Sequence, residues 1–99
     1  MSIKKKYLKT KPVCKVTFSL SAEDANKVSV VGSFNKWNQK KAVLKKLKNG
    51  TFKGTVDLET GNSYEFKYLI DETVYVNDDS ADAYVWNDFD GAENSIVNV

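Results

Sequence analysis

Hydrophobicity in this chain repeats at every second residue, and that period leaves little choice of architecture. In "VCKVTFSL" (13–20), Cys14, Val16, Phe18 and Leu20 fall on one side, with Lys15, Thr17 and Ser19 on the other. In "SYEFKYLI" (63–70), Tyr64, Phe66, Tyr68 and Ile70 alternate with Glu65, Lys67 and Leu69. Side chains of an extended strand point to opposite faces in turn, so this pattern is a strand buried on one side. "VSVVG" (28–32), "AVLKKLK" (42–48), "TFKGTVDL" (51–58), "VYVN" (74–77) and "NSIVNV" (94–99) read the same way. Gly/Asn/Asp-rich turns separate them, among them "NG" at 49–50 and "ETGN" at 59–62. "SAEDANK" (21–27) is a polar connection with at most one helical turn, and "DDSADAYVWNDFDGAE" (78–93) reads as a long loop holding three aromatics. About seven strands and no convincing helix give an all-β fold, an antiparallel β-sandwich. Gly54 falls on an inward row, where it marks a bulge or makes room for a large ring.

The 99 residues make one domain, expected over 12–99, behind a basic and partly disordered N-terminal arm at 1–11. Every lysine but Lys67 lies in residues 1–54, and every acid but Glu23 and Asp24 lies in residues 55–99. In a two-layer fold the halves interleave and these charges complement one another. All the cations are lysine. Without arginine's bidentate fork, specific nucleic-acid binding is not expected. No apolar run is long enough to span a membrane, and no secretory signal opens the chain. A single cysteine, Cys14, fits a small buried residue in a reducing cytoplasm. The chain starts with Met, and a stand-alone protein is expected rather than a fragment of a larger enzyme.

Enzymatic chemistry has few candidates. The chain contains no histidine, which removes Ser-His-Asp and Cys-His arrangements. No Gly-rich phosphate loop is present, and Cys14 with carboxylates is a poor zinc set. The acids of 78–90 lack the spacing of a calcium loop and serve as turn formers. No catalytic residues, metal or cofactor are expected. What remains is aromatic and polar. Trp37 stands between asparagines in "VVGSFNKWNQ" (30–39), as core caught in a turn or as a platform for something outside. Tyr75, Asn77, Trp86, Phe89 and Asn94 follow, and Lys67 lies on the strand face opposite the Tyr64/Phe66/Tyr68 row. Flat rings cover the apolar face of a sugar, and amides and ammonium groups bond its hydroxyls.

In their order and spacing, "VSVVGSFNKWN", "YEFKYLID" and "GAENSIVNV" resemble the isoamylase N-terminal-like domains, carbohydrate-binding module family 48. That family includes the glycogen-binding domain of the AMP-activated protein kinase β subunit. The resemblance covers about residues 13–99 and implies an immunoglobulin-like sandwich that binds α-1,4-linked glucan without catalysis. It implies that Trp37 stacks on glucose and that Lys67 and Asn94 bond hydroxyls. The family's second stacking tryptophan falls at Val74 or Tyr75, and Tyr75 offers the ring. Its Asp-Gly turn is Asp71-Glu72 here, which puts the shape of that turn in question. Its glucan-threading leucine falls near Phe89 or Asp90. Trp86 has no family counterpart; with Phe89, Asn35 and Asn77 it is an accessory candidate. Expected partners are an α-glucan and a glucan-active enzyme or regulatory protein. The competing reading is a protein-interaction or self-association module with a degenerate sugar site.

Overall fold

The computed structural model describes residues 2–99, all of them strand, turn or loop. Nine strands form: β1 (Ser2–Tyr7), β2 (Val13–Ser21), β3 (Val28–Gly32), β4 (Lys45–Lys46), β5 (Thr51–Glu59), β6 (Ser63–Ile70), β7 (Val74–Val76), β8 (Ala83–Asn87) and β9 (Ala92–Asn98). They make two antiparallel sheets. One has the order β1-β2-β5-β4; the other runs β3-β6-β9-β8, with β7 pairing to β6. The period-two reading places the core correctly. Cys14, Val16, Phe18 and Leu20 of β2 are buried against Phe52 and Leu58 of β5 and Phe66 and Tyr68 of β6. Phe18 sits at the centre, with its ring centroid 5.0 Å from Phe66 and 6.3 Å from Tyr68.

The expectation of about seven strands falls short in two places. Residues 2–7, expected within a loose arm, form β1 and pair with β2 from Ser2↔Ser19 to Tyr7↔Cys14. A lysine run hides a strand because its stems can lie along a sheet while the ammonium groups stay in water. The loop expected over 78–93 contains β8, which pairs with β9 to make a hairpin. Tyr84, Val85 and Trp86 favour extended backbone, but the acids and asparagines around them mask the strand. β8 contains no buried residue, so neither of its faces is covered.

Residues 42–48 do not form one strand. Ala42–Leu44 bond to β3 and Lys45–Lys46 bond to β5, so the chain crosses between sheets at this point. Leu44 drops over Gly54 as it crosses: a Cβ on Gly54 would lie 2.6 Å from Leu44 Cδ2. The inward glycine therefore makes room for an aliphatic side chain, not for an aromatic ring.

Two ties hold the sheet ends. Lys5 of β1 and Asp82, just before β8, form an ion pair at 2.6 Å between the two sheets. Asp82 also accepts from the Asn98 amide at 2.8 Å. Burial pushes the Asp82 carboxyl up, but the Asn98 hydrogen bond and the Lys5 ammonium outweigh it and hold the pKa below the usual carboxylate range. Inside, the Tyr68 hydroxyl donates to buried Asp78 at 2.6 Å. Burial, together with the Asp78 carboxylate, pushes the Tyr68 hydroxyl pKa far up.

Candidate functional site

The loop after β3 is built to present a ring. Gly32 is required there, because a Cβ would stand 2.3 Å from the Glu65 carbonyl oxygen and 2.8 Å from the Phe34 ring. With that space free, Phe34 folds back onto the core and stacks near Phe18 at 6.4 Å. Asn35 closes the loop from inside. Its Oδ1 accepts from Gly32 N and its Nδ2 donates to Val30 O, both at 3.0 Å. The Gly32 carbonyl in turn accepts from the amides of Asn35 and Trp37. This forces Lys36 and Trp37 into left-handed backbone, with φ of 57° and 59°. Such residues are strained, and strain held by surrounding bonds gathers at binding sites. The consequence is that Trp37 turns outward, 40% exposed, over the outer face of the β3-β6-β9-β8 sheet.

Lys67 stands on that same face, because it alternates with core residues Phe66 and Tyr68. Among the described residues its ammonium has no ion pair. Tyr75 arrives from β7, paired with Leu69 two positions along from Lys67. The turn that delivers it is the Asp71-Glu72 turn. Both residues take left-handed φ, 50° and 63°, and Thr73 N bonds to Ile70 O. That is a type I′ geometry, which glycine would adopt without strain. Asp71 secures it by accepting from the Asn26 and Lys27 amides at 2.8 and 2.9 Å. The turn is therefore closed and anchored with no glycine at either central position.

Opposite these residues rises the β8–β9 turn. Asn87 Oδ1 accepts from the Phe89 amide at 2.9 Å, and Gly91 N bonds back to Asn87 O. Phe89 protrudes from the tip, 94% exposed. Together Trp37, Lys67, Tyr75, Asn87, Phe89, Asp90 and Ala92 line one cleft of about 570 Å³. A second cavity, about 290 Å³, opens at the β5 edge between Leu44 and Leu58. Lys41 and Asp57 line it, but none of the exposed aromatic rings does, so it lacks a stacking platform.

The cleft thus gathers four of the expected site residues: Trp37, Lys67, Tyr75 and Phe89. Asn94 is near but different. It shares the outer face with Glu65, whose Oε1 accepts from its Nδ2 at 3.0 Å, and it is fully buried. Among the described residues its Oδ1 has no partner. Asn35 is committed to its own loop, as described. Asn77 is committed to β9, bonding Glu93 O and Ser95 Oγ at 2.9 Å each. Trp86 pairs with Glu93, while its neighbour Asn87 pairs with Ala92 in the cleft, so Trp86 faces the other way. Asp90, named with Phe89 as the place of the family's threading leucine, lines the cleft as well, whereas Asn87 and Ala92 are cleft residues that sequence reading missed. The Asn-Asp-Phe-Asp-Gly stretch was a legible turn signal, but not its position against Lys67.

A comparison with curated proteins gives no match. The family described as the glycogen recognition site of AMP-activated protein kinase matches over residues 14–99, from the first core residue of β2 to the last residue of the chain. The chain belongs to this family of carbohydrate-binding modules, whose members recognise glycogen-type glucan.

Proposed function

We propose that this protein is a non-catalytic module that binds α-1,4-linked glucan in the cleft beneath Trp37 and brings a separate glucan-active enzyme to it. Trp37 and Tyr75 stack on glucose rings. Lys67 and Asn87 bond hydroxyls, and Phe89 is the apolar knob that enters the hollow of a curved chain. Asn94 is fully buried, does not line the cleft and is held by Glu65, so it makes no contact with the sugar and instead steadies the outer face beside the site. The observation that carries the reading is the convergence of Trp37, Tyr75 and Phe89 on an unpaired lysine in a single cleft. A shallow site with few contacts binds weakly, with a Kd of order 10 μM to 1 mM. Calorimetric titration with maltoheptaose and β-cyclodextrin tests it. Saturable heat is expected for the wild type, with a loss of about fivefold in Trp37→Ala, since one stacked ring is worth of order 1 kcal/mol. No heat from the wild type up to about ten millimolar rejects the reading.

One observation favours a second reading, self-association. β4 covers β5 only at Lys53 and Phe52, so residues 54–59 leave an open strand edge beside the smaller cavity. Light scattering across a concentration series decides it: a doubled mass supports pairing along this edge, and a constant monomer mass removes it.

A further inference from the structure

We propose that the β8–β9 ribbon carries a second sugar-stacking platform on its reverse face, with Trp86 as the ring and Tyr84 beside it, taking a glucose unit of the same class of α-glucan. This rests on the glucan reading of the cleft. The strand register separates the two faces. Asn87 and Ala92 pair across the ribbon on the cleft side, whereas Trp86 pairs with Glu93 and Tyr84 with Ser95 on the opposite side. No residue of β8 is buried, so this reverse face is open. Trp86 is 59% exposed there. A Tyr-Val-Trp run on an uncovered edge strand invites aggregation, a liability that sheet proteins avoid unless the surface is used.

The two rings are held in place by their polar atoms. Trp86 Nε1 donates to Asp88 Oδ1 at 2.7 Å. The Tyr84 hydroxyl donates to the backbone carbonyl of Asp78, a residue buried against Tyr68 and Ser95. Fixed rings with exposed faces lose little freedom on binding. Two strand positions separate them, about 7 Å. Carboxylates of Asp88 and Glu93 border the rings. A hydrophobic protein surface would have to bury those carboxylates at a cost, whereas sugar hydroxyls donate to them directly. Phe89, at the turn that joins the two strands of the ribbon, lines the cleft.

The chain has two tryptophans, so its spectrum carries two indole N–H signals. Trp37→Phe and Trp86→Phe assign them. Maltoheptaose is then titrated into the ¹⁵N-labelled wild type and Trp37→Ala, each at fixed protein concentration. Both indole signals of the wild type are expected to move and saturate, with midpoints that differ by severalfold. The Trp86 signal is expected to keep moving in Trp37→Ala. If only the Trp37 signal moves, or if the Trp86 response vanishes with Trp37, the second platform is overturned and the cleft stands. If neither moves by about ten millimolar, the glucan reading itself falls. If the Trp86 signal follows protein concentration without sugar while the mass doubles, a second copy occupies the face and the proposal is overturned.

Discussion

Trp37 and Glu72 illustrate opposite uses of the same backbone conformation. Both have positive φ. At Trp37 the left-handed turn aims a ring into the cleft, and the Gly32 and Asn35 hydrogen bonds hold it there. At Glu72 the conformation only completes a turn. Its side chain gains an ion pair with Lys27 at 2.9 Å, but both partners are about half exposed, and such pairs are worth little. Glu72→Gly is therefore expected to raise stability by about 1 kcal/mol, because glycine escapes the penalty of a left-handed L-residue. Urea denaturation measures this; an unchanged or lower midpoint would show that the ion pair outweighs the strain.

At the scale of elements, the crossing from β3 to β5 depends on a single absent side chain. Leu44 occupies the space above Gly54 and is itself buried. Gly54→Val forces Leu44 aside in a packed core and is expected to cost about 1–3 kcal/mol. Leu44→Ala also costs stability, by leaving a cavity, yet in combination the added valine fills that space. The double variant should be more stable than the sum of the single losses, and a thermal-melt double-mutant cycle reads the coupling. Additive losses would mean that the two sites do not share a volume. The hairpin of β8 and β9 shows how an element escapes sequence reading. Its first strand, β8, has no buried side, so the polar-apolar contrast that exposed β2 and β6 is missing there. The edge strand β1 escaped for the same reason, since no residue of β1 is fully buried.

For the whole molecule, pH acts through two groups that the fold perturbs in opposite ways. Asp82 has a lowered folded pKa, so it contributes stability above its unfolded value, about 3.9. That contribution fades as pH falls below about 4 and through the folded pKa. Asp82→Asn should flatten the acid limb of the stability curve, and Lys5→Ala should flatten part of it. Tyr68 has a raised pKa. Its contribution is complete below the unfolded tyrosine value of about 10 and declines at higher pH, where the unfolded chain ionises and the native one does not. Tyr68→Phe removes the hydrogen bond to a buried carboxylate and is expected to cost about 1.5–3 kcal/mol near neutrality. It should also lessen the alkaline slope. Melting temperature between pH 3 and 11 tests both limbs; an alkaline slope unchanged in Tyr68→Phe would contradict the role given to Tyr68.

The sequence by itself determined the layers and the core. A period of two requires strands, and burying one face of each requires a second sheet, which is why Cys14, Phe18, Phe66 and Tyr68 were legible as interior. It also carried part of the loop motif, since Asn35 bonds Gly32 and Val30 within a few residues. Whether Trp37 was core or platform was settled by distant partners: Glu65 leaves no room for a side chain at Gly32, and Phe34 packs on Phe18. The tertiary structure alone decided which polar residues share the cleft. Asn77 and Asn94 have the right chemistry but are drawn into hydrogen bonds with β9 and β6, and Asn87 and Asp90 take their place at the surface. Strand register sets the face a side chain occupies, and a shift of one residue reverses it. For Trp86 that parity was fixed by its pairing with Glu93, a contact between strands on either side of a turn, which local pattern did not specify.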